Sequence, residues 1–298
     1  MVAAPSAAAV AALHDRILTW YAGNARDLPW RRPDCSAWGV LVSEVMAQQT
    51  PLSRVEPVWL QWMQRWPAPA DLANDSPGAA VRAWGRLGYP RRALRLHEAA
   101  TAIVERFGGE VPRSAEELLS LPGVGAYTQA AVRAFAFGAR ATVVDTNVRR
   151  VHARIVAGQE QAAPTLTRAE VDRATTLLPT DDEVAATWNV AVMELGALVC
   201  TARRPLCPSC PVQDLCRWVA NGRPAYAGAQ RRTQAWHGTD RQVRGEIVQR
   251  LRESSGPLPR SVLEGAGPDP EQVDRCLAAL VDDGLIETAD PDRYALPA

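Results

Sequence analysis

The sequence predicts an all-α protein that carries a thiol-rich loop and a small mixed tail. Three observations predict it. Nearly every segment up to about residue 200 places apolar residues at helical spacing, between Pro, Gly, Ser or Asp punctuation. The stretch "LPGVGAYT" (121–128) sets a proline and two glycines between a short helix and a longer one. Four of the six cysteines fall within "CTARRPLCPSCPVQDLC" (200–216).

At 298 residues the chain is long enough for two domains and a small third. Hydrophobic residues make up 47% and charged residues 22%, and no apolar run approaches the roughly 18 residues of a membrane span. The start "MVAAPSAAAVAALHDR" has no basic leader, so a cytoplasmic address without a membrane is expected. Formal net charge is zero, which weighs against a polyanion partner, but the charge is uneven. Residues 81–97 hold Arg82, Arg86, Arg91, Arg92 and Arg95 with no acid, whereas 264–292 hold nine acids against Arg275. All 33 basic residues are arginine, in keeping with a GC-rich coding bias; the chain contains no lysine.

In order, helices are expected over 38–50, 55–66, 77–88, 91–108 and 114–121, then within 128–138, 142–156, 168–179 and 184–200. Trp59, Trp62 and Trp66 recur at helical spacing, as a core stripe or a stacking platform. Residues 228–240 read as a polar linker. Three short helical patterns follow, then a hairpin in "LIETADPDRYALP" with an Asp-Pro-Asp turn, together resembling a winged-helix module.

Cys200, Cys207, Cys210 and Cys216 are separated by six, two and five residues. In a chain with no secretory leader that points to a metal centre. Zinc favours paired short gaps, whereas a [4Fe-4S] cluster accepts four thiolates from uneven loops, so iron–sulfur is the preferred reading and zinc the alternative. Arg203 and Arg204 project between the first two ligands, toward phosphate or simply solvent. Glu44 in "WGVLVSEVMAQQT" sits on the flank of an apolar helix. It is either a surface residue or a desolvated carboxyl with a raised pKa, fit for general-acid work. Asp145 precedes a helix, where a capping role is the simplest reading, and Asn147 is similarly open. A Gly-x-Gly turn before a helix lets backbone approach a phosphate closely, which singles out Gly123, Val124 and Gly125.

These pieces together resemble the helix-hairpin-helix DNA glycosylases of the endonuclease III type, and within them the MutY-type adenine glycosylases. The resemblance spans roughly 10–222. It rests on "RDLPWR", "SEVMAQQT", "RLGYPRRALRLH", "LPGVGAYT", "VDTNVRRVHAR", "ELGALVC" and the cysteine loop. It implies a six-helix barrel domain with the hairpin over 32–141 and a cluster domain from 1–31 with 142–222. A linker at 223–240 and the winged-helix-like module at 241–298 would complete the chain. It implies one [4Fe-4S] cluster and double-stranded DNA with a mispaired adenine as partner, bound by a monomer. Glu44 would protonate the adenine, Asp145 would stabilise the cationic sugar, and Tyr127 would bridge the two. Gln48, Gln49, Thr50, Tyr89 and Asn147 would lie against DNA with the hairpin, and Trp30 and Arg31 near the extruded base.

Tyr127 stands where bifunctional relatives carry a Schiff-base lysine, so excision without efficient strand cleavage is expected. "RLGYP" puts Pro90 where a second aromatic is usual. The tail is too short and too helical to be the Nudix-like domain that reads 8-oxoguanine in many relatives, so discrimination against guanine is expected to be weaker. The acidic tail suggests packing on the body or a repair-protein contact. The alternatives are a thymine or uracil mismatch glycosylase, and a non-catalytic DNA-binding protein that uses the cluster as structure.

Overall fold

Short polar side chains set where the helices begin. Ser6, Ser36, Ser76, Ser114, Thr167, Thr239, Asp145, Asp181 and Asp269 each accept a backbone N–H from the turn that follows. The computed structural model describes residues 5–228 and 236–298. Its helices are α1 (Ala7–Asn24), α2 (Ala37–Ala47), α3 (Leu52–Arg65), α4 (Pro69–Ala73), α5 (Pro77–Ala83), α6 (Arg91–Phe107), α7 (Ala115–Leu119) and α8 (Ala126–Phe137). There follow α9 (Thr146–His152), α10 (Arg168–Leu177), α11 (Asp182–Leu198), α12 (Arg217–Ala220), α13 (Asp240–Glu253), α14 (Arg260–Leu263) and α15 (Pro270–Asp282). The strands are β1 (Leu258–Pro259), β2 (Glu287–Asp290) and β3 (Arg293–Ala295). No helix among the described residues is long and apolar enough to cross a membrane. The chain divides into two units, residues 1–33 with 126–232, and residues 34–125 with 233–298.

In the first unit α11 packs against α1 and α9 over a core of Leu13, Ile17, Val148, Val151, Trp188, Val192 and Leu195. Each such buried aliphatic contributes about 1.5–3 kcal/mol. Ala130, Ala131 and Ala134 form a second, smaller core with Ala141 and Val143, and Tyr127 packs against it. Residues 142–145, expected at the head of a helix, are not helical; α9 starts at Thr146 because the Asp145 carboxylate caps it.

In the second unit α2 is buried from Trp38 to Met46, so α3 and α6 pack around it. Trp59, Trp62 and Trp66 are 6%, 0% and 2% exposed, and Trp62 meets Trp66 and Trp84 edge-on at 4.8 and 5.6 Å. The stripe is therefore core rather than a stacking platform. α4 packs on α6, and its five residues are too few to show a period in sequence.

The tail runs α13, β1, α14, α15, β2, β3, with an antiparallel sheet in the order β1-β3-β2, a winged-helix-like arrangement. β1 escaped the sequence reading because two residues carry no alternation. The hairpin turns at Pro291 and Asp292, and Asp292 takes a left-handed φ of 67°. This module packs on the body of its own unit. Gly78 N donates to Pro297 O at 2.8 Å, and a Cβ on Gly78 would lie 2.3 Å from that oxygen. Arg82 donates to the carbonyls of Arg252 and Ser254, and Arg252 Nε donates to Val81 O at 2.9 Å. Burial lowers the Arg252 pKa to about 10. Of the expected linker, residues 229–235 lie outside the described residues.

Candidate active site and cysteine centre

Glu44 lies in the last turns of α2 and is 9% exposed, so it is buried rather than a surface residue. Gln48 caps the end of α2, after which Gln49 takes a left-handed φ of 55° and Thr50 is buried. The carbonyls orphaned at this helix end converge on one guanidinium. Arg92 of α6 donates through Nη1 to Val45 O at 2.8 Å and Gln48 O at 2.6 Å, and through Nη2 to Gly88 O at 3.1 Å. Burial lowers its pKa. Thr50 Oγ1 donates to Leu87 O at 3.3 Å, closing the link between the 48–50 and 87–89 turns. Tyr89, next to Gly88, is 47% exposed and also left-handed, with φ 48°. Two of the four left-handed non-glycine residues among those described are thus expected DNA contacts, a placement that costs about 1–3 kcal/mol each. Arg92 is one residue that sequence reasoning missed, since only the fold brings 45–50 and 88–92 together.

The hairpin joins α7 to α8. Gly123 takes φ 77°, and a Cβ there would lie 2.7 Å from Arg95 Cβ. Val124 is buried, and a Cβ built on Gly125 would meet open space. The outer glycine therefore leaves its backbone approachable, as phosphate binding requires.

In the first unit Asp145 both caps and is held. Its Oδ1 accepts from Val148 N at 2.6 Å and its Oδ2 from Asn147 Nδ2 at 2.7 Å. Burial raises its pKa, against the lowering by those donors and by Arg150. Arg150 Nη2 donates to Asn147 Oδ1 at 2.8 Å, and its Nε to Cys200 O at 2.8 Å. Asn147 approaches α11 because Gly196 has no side chain; a Cβ there would lie 2.6 Å from Asn147 Cβ. Trp30 is buried. Arg31 Nη2 donates to Glu194 Oε2 at 2.9 Å, and Arg26 Nε to Glu194 Oε1 at 2.6 Å. Burial would raise the Glu194 pKa, but the two guanidiniums overcome it and hold that pKa at about 2. Arg31 is thereby fixed by a buried carboxylate, a partner that the "ELGALVC" motif contained without announcing.

The four cysteines line one cavity with Ile155, Val199, Pro205 and Trp218. The four thiols ring this one space, an arrangement that suits a cluster held by four thiolates. Burial pushes Cys210 up to about 11 and also raises Cys216, so thiolates here need a strongly cationic centre. Arg154, 1% exposed, donates to Cys200 Sγ at 3.3 Å and Thr201 O at 2.7 Å and stacks on Trp218 at 4.8 Å. The residues present fit an iron–sulfur cluster and its customary N–H donors. Arg203 and Arg204 are exposed beside it.

Fold and site together define a helix-hairpin-helix DNA repair glycosylase with an iron–sulfur loop. Residues 42–175 match the model of the HhH-GPD superfamily of base excision DNA repair proteins, and 200–216 that of the iron-sulfur binding domain of endonuclease III. The chain is 52% identical to the adenine DNA glycosylase of Mycolicibacterium smegmatis over 94% of both chains. It is 50% identical to that of Mycobacterium tuberculosis, over 94% of this chain and 92% of the relative. Among solved structures, a thermostable thymine-DNA glycosylase is 28% identical with a TM-score of 0.64, covering 72% of this chain and 98% of that one. Endonuclease III in a non-covalent DNA complex shares the fold at 24% identity, with a TM-score of 0.62 over 73% of this chain and 98% of that one. The chain belongs to the MutY-type adenine DNA glycosylases of this superfamily. Its cofactor is a [4Fe-4S] cluster, and Cys200, Cys207, Cys210 and Cys216 are the residues that would hold it.

Proposed function

We propose that this protein removes adenine mispaired with 8-oxoguanine or guanine from double-stranded DNA and leaves the strand uncut. What carries the reading is a buried Glu44 in a chain half identical to two adenine glycosylases over nearly its whole length. A purine leaves poorly as an anion. Glu44 donates its proton to a ring nitrogen of the extruded adenine as the bond from the base to the sugar C1′ breaks, and the electron pair of that bond stays with the neutral base. Asp145, held by Asn147 and the α9 amide, faces the cationic sugar with its carboxylate until water adds at C1′. The hairpin backbone at Gly123, Val124 and Gly125 grips phosphate, and Gln48, Gln49, Thr50 and Tyr89 meet the duplex where the base has left. Trp30 and Arg31 flank the extruded adenine.

Tyr127 occupies the Schiff-base position, and a chain without lysine offers only its terminal amine for an imine, so the protein is a glycosylase without efficient lyase chemistry. It works as a monomer in the cytoplasm, at the nucleoid. A panel of duplexes with adenine, thymine or uracil opposite guanine or 8-oxoguanine tests the reading. Excision confined to adenine supports it; excision of thymine or uracil alone overturns it in favour of a pyrimidine mismatch glycosylase. With Pro90 beside Tyr89 and no Nudix-like fold among the described residues, single-turnover rates on the two adenine mispairs should lie close together.

A further inference from the structure

The winged-helix-like module brings a guanidinium to the most exposed aromatic of the body. Arg241, in the first turn of α13, lies over the Tyr89 ring with its Cζ 5.0 Å from the centroid, and over Trp236 at 5.2 Å. Arg92 approaches the Tyr89 ring as well, at 5.4 Å. Tyr89 and Trp236 are 47% and 48% exposed, and Arg241 is exposed with them. The acids nearest to Arg241 in sequence are engaged elsewhere: Asp240 pairs with Arg275 and Glu246 with Arg250, while Asp283 of the same module pairs with Arg91 and Arg244. The Arg91–Asp283 pair and the Arg82 and Arg252 contacts fasten the module so that α13 starts at Tyr89.

An exposed tyrosine on left-handed backbone, with a guanidinium laid over it, is an expensive arrangement for a surface with nothing to bind. It is an apt one for a base. Unstacked bases settle on aromatic faces and guanidinium planes, and extruding an adenine leaves a gap in the stack. We propose that Arg241 is a positioning residue for Tyr89, and that Arg241, Tyr89 and Trp236 form a stacking surface for the duplex at the gap. The module is then part of the lesion-reading surface despite its acidity, and it supplies by stacking what Pro90 withholds. The inference rests on the function proposed above.

The test uses the full chain, as wild type, Arg241→Ala and Arg241→Lys, on duplexes with adenine opposite guanine or 8-oxoguanine. Single-turnover excision is read together with the fluorescence of 2-aminopurine placed beside the mispair, which reports unstacking directly. Arg241→Ala should slow excision about tenfold, the loss of roughly one base–aromatic stack, and flatten the fluorescence rise while thermal stability stays unchanged. Arg241→Lys should restore little, because an ammonium lacks the planar face that lies between two rings. Wild-type behaviour of Arg241→Ala, or full restoration by Arg241→Lys, would overturn the inference, the latter by reducing Arg241 to a phosphate charge. A wild type that excises no adenine sinks the proposed function instead. The fluorescence arm then still decides the role of Arg241.

Discussion

Asp145 has two tasks that act oppositely on its proton. Burial raises its pKa, while the α9 amide and Asn147 favour the carboxylate that the proposed role beside the sugar cation requires. Because the net shift is upward, protonation on acidification begins at a higher pH than for an ordinary aspartate. The account therefore expects single-turnover excision to fall with decreasing pH, with a midpoint above the usual 3.8. A pH profile that stays flat through that value would contradict it. Asp145→Asn keeps the cap but loses the charge, and should slow excision about 100-fold or more with duplex affinity little changed. Residues of this kind could be picked from the sequence as candidates because they sit inside short motifs. Glu44, Asp145 and the cysteines could each be named from their neighbours, although only the fold showed that Glu44 is buried and that Asp145 both caps and is held.

Between elements the decisive groups are arginines and one glutamate that no local pattern marks. Arg92 ties the end of α2 to the Gly88–Tyr89 turn, and each of its partners lies outside its own helix. Arg92→Ala should cost about 1–3 kcal/mol in denaturant unfolding, because it strands buried carbonyls, and should weaken binding to a mispaired duplex. Arg92→Lys cannot span those acceptors and should not rescue it. Glu194 binds Arg26 and Arg31 to α11, with its folded pKa depressed from 4.5 to about 2. A depressed carboxylate contributes stability that is complete above the unfolded pKa and is lost as pH falls through the folded one. Glu194→Gln should therefore cost about 3 kcal/mol near neutrality, and the gap to wild type should close between about pH 4.5 and about 2. A gap that stays constant over that window would mean that charge is not what Glu194 provides. These contacts escaped the sequence because they join residues far apart along the chain: 31 to 194, 48 to 92, and 89 to 241. Helical periodicity reports which face is apolar, not which guanidinium crosses to it.

At the scale of the molecule, a neutral chain is arranged to meet a polyanion. Nine acids against one arginine gather at 264–292 while five arginines gather at 81–97, and α13 is fastened against part of that basic stretch. The cysteine loop depends on Arg154 for its carbonyls and on the cluster to keep buried thiolates charged. Arg154→Ala should diminish the visible absorbance of the cluster per chain and lower thermal stability; retention of both would show the loop to be self-supporting. The sharpest expectation for a glycosylase without a lysine is that it takes the base and spares the strand. A duplex labelled on the adenine strand, with that adenine opposite 8-oxoguanine, is incubated under single-turnover conditions and run on a denaturing gel with and without alkali. The account predicts an intact strand that alkali cuts at the position of the adenine. A strand cut without alkali, or one that alkali does not cut at all, would contradict it.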